Sequence, residues 1–102
     1  MVILTVMYPK TEQSRFHFDY YLEKHIPLVK ERLERLGLGS VRLMRGTAAL
    51  DGTAPPFEVI AELTFSSIQH LREALGRHGE EIIGDIRMFT DVQPAIQINE
   101  VL

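Results

Sequence analysis

Hydrophobic residues along the chain follow two periods, and these predict strands and helices in alternation. Val2 to Tyr8 is β-branched and apolar and stops at Pro9, which predicts a strand buried on both faces. Phe57 to Phe65 places apolar residues at alternate positions, which predicts a strand with one apolar face. Two further strands are predicted, from about Ser40 to Ala49 and from about Val92 to Val101.

After the first strand the apolar period lengthens to that of an α-helix. One stripe of this helix is formed by Phe18, Leu22, His25, Val29, Leu33 and Leu36. Pro27 lies inside the pattern, where its ring removes a backbone donor and clashes with the carbonyl four residues earlier. We therefore predict an offset at residues 24–26, with Pro27 starting a second helical segment. Gly37 and Gly39 are predicted to end the helix.

A second helix is predicted after the third strand. Ser66 and Ser67 can cap its first turn, and the pattern carries it to about Leu75. The segment 76–79, which contains two glycines, predicts the end of this helix. A separate short helical turn is predicted at residues 80–85.

The element order is therefore β-α-β-β-α-β, which is the ferredoxin-like α+β arrangement, in a single domain over residues 1–102. Such a domain carries its helices on one face of an antiparallel sheet. A second copy of the chain is the simplest cover for the other face, so we expect a two-fold homodimer. A chain this short also buries a smaller fraction of its surface than a longer one, which favours association.

Composition removes several classes of function. The net charge of −3 opposes nucleic-acid binding, which needs a concentrated basic face. No apolar run approaches the ~20 residues of a membrane helix, and the N-terminus lacks the features of a signal peptide. The chain has no cysteine, which excludes disulfides and thiolate metal sites and fits a reducing cytoplasm. Because no metal-ligand spacing and no glycine-rich phosphate turn is present, neither a metal nor a bound cofactor is expected.

Two segments resemble a known family. Residues 16–29 are similar to the signature of the EthD family, in which Phe, Asp-Tyr-Tyr, His and Pro-Leu recur at this spacing. Residues 85–101 are similar to the family's closing segment, with an aromatic residue and Thr before Gln-Pro and a Gln-containing strand. The family is named for a protein associated with ethyl tert-butyl ether degradation and is often labelled a reductase or oxidoreductase. The resemblance implies a dimeric α/β barrel, and the wider superfamily includes cofactor-free monooxygenases and polyketide cyclases.

The resemblance implies an enzyme that acts, without a tightly bound cofactor, on a small hydrophobic or aromatic molecule. The molecule is expected in a cleft between the helices and the sheet, and oxidoreductase is the class that the family label implies. The alternative is a non-catalytic protein that binds such a molecule within a degradation or biosynthetic pathway. Both functions need the same cleft, so both stay open at this point.

Three residues are predicted to form a catalytic group: His25, Tyr21 and Asp85. His25 is a general acid or base suited to neutral pH, or else it caps carbonyls freed by Pro27. Tyr21 lies one turn earlier on the same helix face, where it hydrogen-bonds the substrate or serves as a core aromatic. Asp85 is predicted to pair with His25 and fix its tautomer, or to cap its own turn.

Three further residues, Phe18, Gln93 and Gln97, are predicted to bind substrate. Phe18 belongs to the same apolar stripe as the histidine. The two glutamines share one face of the final strand, where they line the cavity or bond across the dimer. Tyr20 points about 100° away from Tyr21 and is predicted to lie at the surface or at an interface.

Overall fold

Helices cover one face of a single antiparallel sheet. The fold is described from a computed structural model that covers all 102 residues. In chain order the elements are β1 (Val2–Pro9), α1 (Phe18–Tyr20), a π-helical turn (Tyr21–His25), α2 (Ile26–Leu33), a 3-10 turn (Glu34–Leu36), β2 (Leu38–Arg45), β3 (Phe57–Phe65), α3 (Ile68–Asp85), a 3-10 turn (Ile86–Met88) and β4 (Ala95–Glu100). The sheet order is β2-β3-β1-β4, with every neighbouring pair antiparallel. The predicted α+β class and ferredoxin-like order are confirmed.

The core lies between the helices and one face of the sheet. Its larger group of buried side chains joins β1, β2, β3, α2 and α3: Leu4, Val29, Leu33, Leu38, Ala61, Leu63, Phe65, Leu71, Ala74 and Ile82. A second group, largely aromatic, packs beside the end of β1: Tyr8, Tyr21, Ile26, Val59, Ile86 and Phe89. Burial of side chains of this size stabilises the fold by about 1.5–3 kcal/mol each. The β3 strand has the bounds that its alternating pattern predicts.

The first helix changes geometry just before Pro27. The Ile26 amide donates to the Tyr21 carbonyl across a π-helical turn, and α2 then begins with the proline in its first turn. A proline at this place costs no helical hydrogen bond, because the first amides of a helix have no internal acceptor. The predicted offset is confirmed for residues 24 and 25, whereas Ile26 already belongs to α2. The turn buries Tyr21 and leaves Leu22 53% exposed, so Leu22 does not face the core although it belongs to the predicted apolar stripe.

The second helix is longer than its sequence indicates. Its first turn is capped by Ser67, as predicted, and it continues without a break through Gly76 and Gly79. The predicted helix end at 76–79 and the separate turn at 80–85 were therefore wrong. A glycine costs about 1 kcal/mol in a helix, and here the burial of one helix face outweighs that cost. The buried residues of this face are Leu71, Ala74, Gly79 and Ile82.

The second strand starts and ends earlier than predicted. Gly37 alone ends the preceding helical region, with a φ of 103° that favours glycine over other residues. Gly39 lies within β2, beside an irregularity in the pairing with β3, so its prediction as a helix terminator was wrong. The strand stops at Arg45 rather than near Ala49. Beyond it, the Gly46 amide still donates to the Glu58 carbonyl at 2.9 Å before the chain leaves the sheet.

The face of the sheet away from the helices mixes apolar and polar side chains. The register places on it Ile3, Thr5, Met7, Ser40, Arg42, Met44, Glu58, Ile60, Glu62, Thr64, Ala95, Gln97 and Asn99. The final strand contributes six residues to the sheet and starts directly after Pro94, later than predicted. None of the helices combines the length and the apolar character needed to cross a bilayer.

Candidate functional site

The segments 16–29 and 85–101, which carry the family resemblance, pack against each other. The His17 amide donates to the Phe89 carbonyl at 2.7 Å, and Phe16 forms an antiparallel bridge with Thr90. The hydroxyl of Thr90 also donates to the Arg15 carbonyl at 2.7 Å. These bonds hold α1 and the π-helical turn against the C-terminal end of α3, so side chains distant in sequence meet there.

A carboxylate links two aromatic side chains at this junction. The Nδ1–H group of His25 donates to Oδ2 of Asp85 at 2.9 Å, across 60 residues of sequence. The hydroxyl of Tyr20 donates to the other oxygen, Oδ1, at 2.8 Å. An ionised carboxylate only accepts hydrogen bonds, so the proton of the neutral imidazole lies on Nδ1 and Nε2 keeps its lone pair. Nε2 has no hydrogen-bond partner among the chain's own groups.

The imidazole is buried in aromatic surroundings. His25 is 3% exposed, and the centroid of its ring lies 4.6 Å from that of Phe89. Burial lowers the pKa of His25, because the charged ring loses its water, and the bond to Asp85 opposes this shift only in part. The histidine is therefore neutral near pH 7, with a basic nitrogen available. The hydrogen bond from Tyr20 to Asp85 raises the pKa of the Tyr20 phenol, since a phenolate could not donate to the carboxylate.

A small apolar cavity lies beside the imidazole, between the helices and the sheet. Its volume is about 70 Å³. Fourteen of its fifteen lining residues are hydrophobic and the fifteenth is His25; they are Leu4, Val6, Tyr8, Tyr21, His25, Ile26, Val29, Leu33, Ala61, Leu63, Leu75, Ile82, Ile83, Ile86 and Ile96. Ile83 and Ile96 are 55% and 44% exposed, so the cavity reaches the surface at their side.

Tyr21 presents a buried hydroxyl that has no partner. Its side chain lines the cavity and stacks against His25 with a centroid separation of 5.8 Å. The oxygen is buried and makes no hydrogen bond, which costs roughly 1–3 kcal/mol in a closed protein. Burial raises the pKa of Tyr21 and also that of its neighbour Tyr8, so both phenols stay protonated at neutral pH. The Tyr21 hydroxyl is a donor that a ligand can satisfy.

The structure brings together the three residues predicted as catalytic, but only two of them line the cavity. His25 and Tyr21 line the cavity, whereas Asp85 lies behind the imidazole, 17% exposed in its side chain. The sequence predicted Asp85 in a separate turn, but in the structure Asp85 is the last residue of α3. The roles of the three residues stay predictions.

The residues predicted to bind substrate lie outside this cavity. Gln97 is opposite Thr5 on the sheet face away from the helices, where it donates to Asn99 at 2.7 Å. Gln93 is exposed and precedes β4, so the predicted common strand face of the two glutamines does not exist. Phe18 borders a different pocket. Its role, and that of the glutamines, stays a prediction.

Sequence reasoning missed two residues of the site. Tyr20 was expected at the surface or an interface, but it donates to Asp85 and is half-buried. Phe89 is fully buried and packs against the rings of His25 and Tyr21. A signal existed for each, because the tandem tyrosines and the aromatic residue of the closing segment belong to the two family motifs. No three histidine, aspartate or glutamate side chains come together in a way that could hold a metal ion.

The fold and the site define a class of protein. It is a ferredoxin-like α+β protein whose cavity between helices and sheet holds a buried histidine bonded to a carboxylate. The EthD domain family matches residues 9–93, which is most of the chain. The protein belongs to the EthD family.

Solved structures support the same grouping. An EthD-like protein from Ralstonia eutropha JMP134 is 36% identical, with a TM-score of 0.90, and the match covers 99% of this chain and 91% of that one. An ethyl tert-butyl ether D (EthD) family protein from Bacillus halodurans C-125 is 17% identical, with a TM-score of 0.71 and coverage of 100% and 99%. An antibiotic biosynthesis monooxygenase, 11% identical with a TM-score of 0.52 and coverage of 100% and 99%, shares the fold alone. No curated protein gives a significant match.

Proposed function

We propose that the protein is an enzyme that removes a proton from a small, largely apolar molecule, with Nε2 of His25 as the general base. The observation that carries the proposal is the hydrogen bond from Nδ1 of His25 to Asp85, which leaves the other ring nitrogen unprotonated beside an apolar cavity. A base whose pKa lies near or below the working pH is mostly in its active form. Burial, which lowers the pKa of His25, serves this purpose.

The neighbouring groups have complementary roles in such a step. As the bond to hydrogen breaks, its electron pair moves onto an oxygen of the substrate, and the Tyr21 hydroxyl can donate to that oxygen. A donor aimed at developing charge in a dry site contributes more than it does in water. Asp85 stabilises the imidazolium that forms and holds the ring in one tautomer.

The cavity limits how much of the substrate it can hold. An apolar cavity of about 150 Å³ accommodates one benzene ring, and the inner cavity measures about 70 Å³. Only a small reactive part, such as the methyl ketone end of a larger molecule, fits beside the imidazole in this conformation. An oxidoreductase role would add a later step, in which an external oxidant such as dioxygen takes electrons from the enolate or phenolate.

One observation favours the second candidate function, a protein that binds an apolar molecule without converting it. Fourteen of the fifteen residues in the cavity wall are hydrophobic, and His25 is the exception. Such a wall suits retention of an apolar molecule as well as catalysis. The two functions differ in what happens to an acidic C–H bond of the bound molecule.

Deuterium exchange tests this difference without knowledge of the natural substrate. The purified protein is incubated in D₂O with acetophenone, cyclohexanone, 4-phenyl-2-butanone or resorcinol, and loss of the acidic C–H signal is followed by NMR. For an enzyme we expect faster exchange of at least one probe, and a loss of about 10²–10⁴-fold in His25→Gln. His78→Gln is the matched control, because His78 lies on α3 and does not line the cavity. Binding without exchange across the panel, or exchange indifferent to the His25 substitution, would favour the binding function.

We further propose that two copies associate through the open face of the sheet. Apolar and polar side chains are mixed on this face, which suits a specific contact better than a purely apolar face would. The Asn99 amide donates to the Thr5 hydroxyl at 2.7 Å on this face. Light scattering at micromolar concentration should give about twice the chain mass of 11.7 kDa. A stable monomer would contradict the dimer. The cytoplasmic location expected from the lack of cysteine stays an expectation.

A further inference from the structure

A second pocket shares Tyr21 with the inner cavity. It measures about 260 Å³ and opens between the start of the helical region and the end of β2. Phe18, Leu43 and Val59 are among the six hydrophobic residues of its wall. Tyr21 is the single side chain that borders both this outer pocket and the inner cavity.

One charged group stands at this pocket. The guanidinium of Arg45 lies 4.0 Å from the centroid of the Phe18 ring, and it is the only charged side chain among the seven lining residues. Arg45 forms no ion pair with any carboxylate of the chain. Arg42 of the same strand is different, because it faces the other side of the sheet and pairs with Glu62 at 3.8 Å.

The strand register gives the distance between the backbone at Arg45 and the wall of the inner cavity. Arg45 is opposite Val59, and Val59 is opposite Tyr8, so the three residues form one row across β2, β3 and β1. Neighbouring strands lie about 4.8 Å apart, which puts the backbones of Arg45 and Tyr8 about 10 Å from each other. Tyr8 lines the inner cavity. The row therefore runs from Arg45, which has no ion pair, to the wall of the inner cavity. Its length is about that of a small elongated molecule.

We propose that the outer pocket binds the anionic end of the substrate, and that the substrate is a small carboxylic acid with an aromatic or aliphatic body. The inference rests on the proposed function and names its substrate class. The carboxylate accepts hydrogen bonds from Arg45, in the planar geometry that guanidinium groups favour. The part of the body nearest the carboxylate packs on Phe18 and Tyr21 in the outer pocket of about 260 Å³, and the reactive end extends past Tyr21 towards His25.

The experiment compares two probes that differ in charge alone. 3-Phenylpropionate and 3-phenylpropionamide are titrated into ¹⁵N-labelled protein, and affinities are taken from the amide shifts of Leu43 and Val59. We expect the carboxylate to bind about tenfold more tightly than the amide. This preference should shrink as salt is raised from 50 to 500 mM, because the cation is partly open to solvent.

Two variants assign the preference to one side chain. Arg45→Met should remove it while leaving affinity for the amide unchanged, and Arg45→Lys should keep part of it. Arg72→Met is the matched control, with the same change of charge at an exposed position of α3 outside both pockets, and should behave as the parent protein. Equal binding of both probes to the parent, or a preference that survives Arg45→Met, overturns the proposal and leaves Arg45 as a cover for Phe18.

The same titration separates this inference from the proposed function. Carboxylate preference should persist in His25→Gln, because the imidazole does not line the outer pocket. If exchange chemistry fails while the preference holds, the outer pocket stands as a binding site without the catalytic role. If exchange succeeds on neutral ketones while no preference is found, the chemistry stands and the substrate class is wrong.

Discussion

Tyr20 and Asp85 are joined by a hydrogen bond of 2.8 Å, on the carboxylate oxygen that His25 does not use. Both oxygens of Asp85 are thus engaged by aromatic side chains from the same helical region. A carboxylate held at both oxygens cannot rotate away from the imidazole. We therefore propose that Tyr20 is a positioning residue, which acts on His25 through Asp85.

Tyr20→Phe should raise the pKa of His25. Without the phenol, the negative charge of Asp85 is less dispersed, so the carboxylate stabilises the imidazolium more strongly. An NMR titration of the His25 ring protons measures this shift. His17→Gln, an exposed change nearby, should leave the titration curve in place. An unchanged or lower pKa in the Tyr20 variant would show that the phenol has no influence on the imidazole.

Asp85→Asn should uncouple binding from proton transfer. The amide can donate to Nδ1, which favours the tautomer with its proton on Nε2, where no base is then available. We expect exchange slowed by about 10²–10⁴-fold with ligand affinity little changed. Nitrogen shifts of the His25 ring report the tautomer directly. Retention of the proton on Nδ1 together with normal exchange would contradict the assigned role of Asp85.

Tyr21→Phe should have opposite effects on stability and on ligand binding. The substitution removes a buried hydroxyl that has no partner, so the free protein should gain up to about 1–3 kcal/mol in the free energy of unfolding. A ligand that accepts a hydrogen bond from this hydroxyl should bind more weakly. Urea unfolding and the ketone titrations measure the two effects. A loss of stability would mean that the hydroxyl has an unrecognised partner, and equal affinity would remove it from the site.

Stability should rise with pH across the titration of His25. Its pKa in the folded protein is lowered from about 6.5 by burial. Between the folded and the unfolded pKa, His25 therefore binds a proton more readily in the unfolded chain than in the folded one. The stabilising contribution is complete above pH 6.5 and is lost as the pH falls towards the folded value. Urea midpoints between pH 5 and pH 8 should show this slope in the parent and a weaker one in His25→Gln. Identical slopes would contradict the lowered pKa.

Most of the sheet could be predicted because each strand carries its own signal. The alternation from Phe57 to Phe65 fixes both its bounds and its buried face, and Gly37 marks a true helix end. The glycines of α3 could not be interpreted in this way. Gly76 and Gly79 are local helix breakers, and only the packing of the helix against the sheet keeps it continuous.

The site was partly predictable for a related reason. Spacing alone put Tyr21 and His25 on one face, and the carboxylate partner followed from chain order. The role of Tyr20 did not follow, because it depends on where the end of α3 lies relative to α1. Gln97 was predicted to line the cavity or to bond across the dimer. The strand register turns its side chain to the opposite face of the sheet, which excludes the first alternative and leaves the second as a prediction.

The separation of His25 from its carboxylate by 60 residues has a consequence for the order of events during synthesis. Residues emerge from the ribosome in sequence, and contacts between distant parts of a chain form last. A nascent chain that ends before Asp85 contains the imidazole but nothing to orient it, and that imidazole remains an ordinary hydrated group. The tuned basicity of His25 arises only when the final turn of α3 docks, so the histidine reports the docking of that turn.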